Sequence, residues 1–548
     1  MTTTVHQAFG IAAGRWAQHP FLCILPETAA IYGIAAGEVT YGQAAAQIDA
    51  LSAAYAAAGF GHGHRAGILL ENRPAFFMHW FALNALGVSV VPINPDMRAA
   101  ELEYLVGHSE IALAIAVPQR HAALVAAADR AGRPLAVMAD GDTPPHAPFA
   151  APHAGTAPHA SSECALLYTS GTTGRPKGCI LPNRYFLHAG SWYAGIGGLA
   201  QLQPGADRMI TPLPLVHMNA MAYSAMAMVM TGGCLIPLDR FHPRSWWASV
   251  RASGATVAHY LGVMPAMLMK AEASPADRAH SVRFGFGAGV DRTLHAGFEE
   301  RFGFPLLEAW AMTETGAGAV IIANHEPRHI GTNCFGKEAA DVMVRIVVAD
   351  GQGGLREAGL GEQGELLVRH AGSDPRYGFL AGYLKDEAAT DAAWAGGWFH
   401  TGDIVRRDAD GYLHFVDRKK NVIRRSGENI AAVEVEAVLA QHPRVKSVAV
   451  AAVPDPVRGD EVMALVVAQA PPPDQAAQQA LATELVDWSL SQLAYYKAPG
   501  YVAFVDSLPL TTTNKIQRGE LKALAPTLVG SAACVDTCAM KKRQGGHS

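Results

Sequence analysis

Beyond residue 40 the apolar and polar positions of the chain alternate between two periods. TYGQAAAQIDALSAAYAAAGF, residues 40 to 60, is rich in good helix formers, follows a Thr suited to capping and stops near Gly59, so it predicts a helix. RAGILLEN is an apolar run of strand length, PAFFMHWFALNALG is helical and VSVVPIN is strand-like. Strands alternating with helices predict an α/β fold with parallel or mixed sheets. The Pro-, Ala- and His-rich residues 141–162 predict an exposed loop, after which the alternation resumes to about residue 330. Short β-runs follow (DVMVRIVVAD, GELLVRH, GYLHFV) and mark a β-rich subdomain over about 335–416. After the charged DRKKN at 417–421 the pattern becomes that of a small α+β domain over 422–525. There IAAVEVEAVLAQHP and LVDWSLSQLA read as helices, and KSVAVAAVPD, EVMALVVAQ and YVAFVD as strands. Residues 526–548 lack periodicity and are expected to fray as a flexible tail.

The chain is long enough for more than one domain: 548 residues exceed what a single core usually supports, and half of them are hydrophobic. A net charge of -5 gives no basic field, which argues against a nucleic-acid partner. The seven cysteines are scattered and odd in number, so they read as plain thiols rather than a disulfide framework. AMAYSAMAMVM and the following TGGCLIPL approach the length of a membrane span, but Gly232, Gly233 and Pro237 interrupt them. A buried core helix followed by a strand is the reading adopted. With no basic-then-apolar leader at the N-terminus, a cytoplasmic location is the default expectation.

The sharpest chemical signal is LLYTSGTTGRPKGCILP, an apolar run ending in Ser, Thr and Gly residues and then Lys177. Its many N–H groups and hydroxyls, with small residues allowing close approach, suit a polyphosphate. A P-loop would need Ser or Thr after the lysine, whereas Gly178 follows Lys177.

YTSGTTGRPKG resembles the signature of the adenylate-forming superfamily of acyl-CoA synthetases, peptide-synthetase adenylation domains and luciferases. Further segments follow in that family's order: AWAMTETG at 309–316, HTGDI at 400–404, VDRKKNVIRRSGENI at the domain junction and LPLTTTNKIQR near the end. The resemblance implies a large N-terminal domain over 1–416, a hinge over 417–421 and a mobile C-terminal domain over 422–525. It implies an acyl-CoA ligase that uses ATP, Mg²⁺ and coenzyme A on a small-molecule carboxylic acid, and it leaves a homodimer open.

By the same resemblance Thr169, Ser170, Gly171, Thr172, Thr173 and Lys177 would hold the β- and γ-phosphates. Thr313 would touch a phosphate oxygen and Glu314 would coordinate Mg²⁺, which prefers hard oxygen ligands. Asp403 would accept the ribose hydroxyls, with Arg418 adding a donor. Gly287, Ala288, Gly289, Glu308, Ala309 and Trp310 would border the nucleotide. Trp310 stands where relatives carry Tyr and is expected to stack on adenine. His217 matches a gating position beside the carboxylate. Lys515 would bridge the acyl carboxylate and the α-phosphate, although Asn514 replaces the usual Gly before it. Lys420 falls at the hinge, and Gly427 would line the pantetheine tunnel.

No carrier domain is evident after residue 525, which favours free coenzyme A as the acceptor. AWAMTET and RRSGENIAAVEVE resemble the carnitine/crotonobetaine-CoA ligase-like branch. A luciferase-like adenylating oxidoreductase and a catalytically silent nucleotide-binding protein are the competing readings. Retention of Lys515, Glu314 and Asp403 speaks against the second of these.

Overall fold

The structure is a computed structural model that describes residues 2–169, 176–350, 354–418, 422–426, 428–509, 516 and 518–542. It divides into a larger unit of Met1–Pro95, Val106–Tyr168 and Gly178–Asp417, and a smaller one of Asp96–Leu105, Thr169–Lys177 and Arg418–Ser548.

Local signals start the elements of the larger unit. Thr40 and Gln43 form a reciprocal capping box for the helix Tyr41–Ala57, and Gly59, at φ +90°, takes the chain out of it. Pro74 opens the helix Pro74–Ala85, whose residues are buried on nearly every side. Three sheets organise the unit. The first runs in spatial order Ile321–Ile322, Leu306–Trp310, Phe284–Ala288, Val257–Leu261, Arg208–Thr211, Cys234–Pro237, Pro20–Ile24 and Gly37–Thr40. The second runs Gly382–Tyr383, Lys177–Pro182, Glu163–Thr169, Ser89–Pro92, Arg65–Leu69, Leu113–Ala116 and Ala136–Met138. Its inner pairings are parallel, as the alternation of strands and helices requires. The β-rich subdomain supplies the third, with antiparallel ladders among Val342–Ala349, Gly364–His370 and Phe399–Arg407.

The apolar stretch near residue 220 is buried, as expected, but it opens as a π-helix, Asn219–Ala225, before the α-helix Met226–Thr231 and the strand Cys234–Pro237. Polar side chains explain the wider turn: Ser224 Oγ donates to the carbonyl of Asn219, five residues back, and both residues meet His259. No helix among the described residues is long and apolar enough to cross a membrane. All seven cysteines are free thiols.

In the smaller unit the strand Gly459–Ala468 pairs antiparallel with Val445–Asp455 and parallel with Tyr501–Phe504. Two expectations change here. The residues of IAAVEVEAVLAQHP begin inside a strand, Glu428–Ala431, because they pair antiparallel with Val422–Arg425; the helix starts only at Ala432. The segment expected to fray from 526 contains the end of the helix Arg518–Leu528 and a strand, Cys534–Asp536, that pairs with Tyr501–Phe504. Aperiodic sequence hid this, because three residues with a ready edge to pair with need no periodicity of their own. Further on, Lys541 is buried against Glu461, which also takes the Arg425 guanidinium at 2.7 Å. Burial pulls the Lys541 ammonium down to about 8.

Candidate active site

The phosphate loop joins two neighbouring strands, Glu163–Thr169 and Lys177–Pro182. Thr169 closes the first and Lys177 opens the second, while Ser170, Gly171, Thr172 and Thr173 lie outside the described residues. Just before the loop, the Tyr168 hydroxyl and His108 Nδ1 share a hydrogen bond of 2.7 Å.

The Gly-rich and AWAMTETG segments meet on parallel strands, with Gly285, Phe286 and Gly287 in register with Leu306, Leu307 and Glu308. Close approach explains the glycines. A Cβ on Gly287 would come within 2.2 Å of the Tyr260 carbonyl oxygen, and Gly289 turns at φ +79°. That turn aims the N–H groups of Gly289 and Val290 at the Glu308 carboxylate, at 2.9 and 3.1 Å, and the Tyr260 hydroxyl adds a third donor at 3.0 Å. Burial raises the Glu308 carboxyl above its usual range, and these donors oppose the shift. Ala309 and Trp310 continue the strand and pair with Ile322 and Ile321.

Past the strand, the Met312–Gly316 turn is held from several sides. Tyr185 O–H donates to the Thr313 carbonyl at 2.9 Å, Tyr223 O–H to the Gly316 carbonyl at 3.1 Å, and Leu380 N–H to the Glu314 carbonyl at 2.9 Å. Thr315 Oγ1 accepts from Met312 N–H at 3.1 Å. The Glu314 side chain is buried, and its Oε1 accepts from the Tyr383 hydroxyl at 3.2 Å. The turn that carries Thr313 and Glu314 is thus braced through its carbonyls.

Asp403 owes its direction to an irregular strand. Gly402, at φ +69°, and a register shift against Gly364–His370 turn the backbone, and Thr401 Oγ1 accepts from Asp403 N–H at 3.0 Å. Asp403 Oδ2 then takes the Trp310 indole N–H at 2.9 Å, with both residues buried. The tryptophan expected only to stack on adenine thus holds the carboxylate expected to bind ribose. His217 sits one residue before the Met218 cap of the π-helix, its N–H donating to the Pro214 carbonyl at 3.1 Å. Asn72, which sequence reasoning missed, staples this stretch. Its side chain donates to the carbonyls of Leu213 and Leu238 and accepts from Leu215 N–H.

In the smaller unit, Arg418 ends the strand Leu413–Arg418. Lys420, Gly427 and Lys515 lie outside the described residues. The bracing role of tyrosines 185, 223 and 383 had no sequence signal, since each acts through a backbone oxygen or a single carboxylate brought to it by the fold.

Comparison with known proteins adds the following. Residues 25–380 match the family described as AMP-binding enzyme, and residues 434–515 match the AMP-binding enzyme C-terminal domain. Over 530 residues the chain is 31% identical to the sulfoacetate–CoA ligase of Cupriavidus necator, covering 94% of this chain and 97% of that protein. It is 29% identical to the crotonobetaine/carnitine–CoA ligase of Salmonella paratyphi A, covering 85% of this chain and 89% of that one. Among solved structures, a malonyl-CoA ligase in a ternary product complex with methylmalonyl-CoA and AMP aligns with a TM-score of 0.70 and 26% identity, covering 90% and 97%. The o-succinylbenzoate CoA synthetase of Bacillus subtilis aligns with a TM-score of 0.77 and 24% identity, covering 94% and 97%, a likeness of fold.

Proposed function

This chain belongs to the AMP-binding enzyme family, and on that footing we propose how its residues divide two half-reactions on a small acid. It is an AMP-forming acid–CoA ligase. The observation that supports the residue assignment best is the bond from Trp310 to Asp403, which joins the AWAMTETG strand to the TGD turn.

In the first half-reaction a carboxylate oxygen of the acid attacks the α-phosphorus of ATP, the bond to the bridging oxygen breaks and pyrophosphate leaves. Thr169, Ser170, Gly171, Thr172, Thr173 and Lys177 hold the β- and γ-phosphates, and Thr313 donates to a phosphate oxygen. Asp403 accepts the ribose hydroxyls while the indole N–H fixes its orientation; Arg418 adds a donor. Gly287, Ala288 and Gly289 let the nucleotide approach the backbone above Glu308. Lys515 neutralises the charge that builds between the carboxylate and the α-phosphate. The buried Glu314 carboxylate, with Tyr383 on one oxygen, offers the hard anionic donor that Mg²⁺ prefers, so the residues fit that ion. When bound, Mg²⁺ supplies charge neutralisation on the leaving pyrophosphate. In the second half-reaction the sulfur of coenzyme A attacks the acyl carbon and AMP leaves. Lys420 acts as the hinge of the change between half-reactions, and Gly427 keeps the pantetheine path open.

The acid we favour is short and carries a second charged group. Sulfoacetate and crotonobetaine, named for two relatives, both fit that description.

The test follows AMP and pyrophosphate release across betaine-type, sulfonated, short aliphatic and aromatic acids. Turnover limited to acids that lack a second charged group would reject the second-charge reading. Lys515→Ala is expected to abolish adenylation but spare thioester formation from supplied acyl-adenylate, and Gly427→Trp to do the reverse. Equal losses in both steps for both variants would remove the division of labour.

A further inference from the structure

Midway along the helix Asn183–Gly195, His188 meets Asp341 and His370, none of which the reaction above uses. We propose that these three side chains bind an imidazole-preferring divalent transition-metal ion, zinc(II) in the first instance, which ties this helix to the β-rich subdomain.

Each residue offers one ligand atom, and the three atoms lie within 4.8 Å of one another. Among the described residues this is the one group of three or more His, Cys, Asp or Glu side chains with that spacing. A tetrahedral zinc ion with bonds of about 2.0–2.2 Å sets its ligands roughly 3.4 Å apart, so small side-chain rotations close the triad.

The scaffold presents the ligands from regular elements. Val342 is paired with His370 in the antiparallel ladder, and Ala371 N–H donates to the Asp341 carbonyl at 2.9 Å, so two ligands come from adjoining strand ends. The third comes from the helix: His188 Nε2 is shielded from solvent and has no hydrogen-bond partner among the described residues, which leaves that ring nitrogen available to an ion.

Gly378 makes room for the ring: at φ +79°, a Cβ there would come within 2.6 Å of His188 Cδ2. His370 Nδ1 accepts from Gly372 N–H at 3.0 Å on an exposed turn, where water replaces that donor when the ring turns to the ion. Two imidazoles and one carboxylate select zinc or a similar borderline ion and disfavour magnesium, which takes oxygen ligands.

The experiment uses the full chain without a histidine tag, stripped by a chelator and returned to buffer containing magnesium. Zinc chloride is titrated against a chromophoric chelator, and bound metal is counted by mass spectrometry. A single zinc per chain is expected, held about tenfold or more weakly in His188→Gln and in His370→Gln. A Cys534→Ser, Cys538→Ser double variant is expected to match the parent. Cobalt(II)-loaded parent protein should show the absorption bands of nitrogen and oxygen coordination, a readout that does not depend on any variant folding. Zinc held equally by the histidine variants, zinc lost only with the two cysteines, thiolate bands with cobalt, or no zinc bound by the parent would each overturn the site.

Discussion

The helix Asn183–Gly195 is anchored near each end by a tyrosine hydroxyl, and the two ends do different things. Tyr185, near its start, donates to the Thr313 carbonyl and so braces the turn that presents Thr313 and Glu314. Tyr193, near its end, shares a 3.1 Å bond with His259 Nε2, whose other ring nitrogen lies 2.8 Å from Asn219 Oδ1 and 2.9 Å from Ser224 Oγ. One hydroxyl holds the backbone of a turn whose side chains are proposed to meet substrate. The other completes a closed network in which each polar atom of the ring has its partner inside the fold. Burial alone therefore does not mark function here; what a buried group is bonded to does.

Breaking the comparison at the end proposed to be catalytic should produce the largest effect. Glu314→Gln removes the anionic ligand while keeping the Tyr383 contact, and pyrophosphate release is expected to slow by about 10²–10³-fold with an unchanged melting temperature. A full-speed Glu314→Gln enzyme would show that the braced turn does not serve the reaction.

At the closed end the cost should fall on stability instead. His259→Gln leaves the hydroxyls of Tyr193 and Ser224 poorly matched in a buried site, and a loss of about 3 kcal/mol in denaturant unfolding is expected. The same residue gives the comparison a pH signature. Burial lowers the His259 pKa from 6.5 to about 3, so the imidazole is neutral in the fold and charges on unfolding. Its contribution is complete above pH 6.5 and falls by about 1.4 kcal/mol per unit as pH drops toward 3. His259→Gln should flatten that part of the stability profile; an unaltered slope would assign the acid sensitivity to other groups.

Trp310→Phe keeps an aromatic ring but removes the donor to Asp403. An increase of about tenfold in KM for ATP with a smaller change in kcat is expected, whereas a loss confined to kcat would separate the indole from nucleotide binding. Smallest of all should be Tyr185→Phe, which deletes one hydroxyl: about 1 kcal/mol of stability and a several-fold loss of kcat, measured side by side. Tyr193→Phe, read in the same assays, should cost stability without the loss of rate.

Much of the fold is legible in the sequence alone. The helix over 40–60 and the strand at Arg65–Leu69 follow from a cap, a glycine stop and apolar runs of the right length, all of them local signals. The strand Cys534–Asp536 and the hairpin strand Glu428–Ala431 escaped because their formation depends on the neighbour each pairs with. Within the site, Glu314 and Asp403 stood out through their motifs, since short rigid loops keep their chemistry contiguous in sequence. The tie from Trp310 to Asp403 spans 93 residues, and no local pattern encodes it.

The order of motifs, the alternation of strand and helix and the family itself follow from the sequence, because backbone propensity and loop chemistry act over a few neighbouring residues. Partnership was decided only in three dimensions: which tyrosine braces the turn, which histidine is closed and which keeps an open nitrogen, and that the indole serves a carboxylate. Hydrogen bonds are made across a few ångströms of space whatever the distance along the chain, so their donors and acceptors become pairs only once the sheets bring distant segments together.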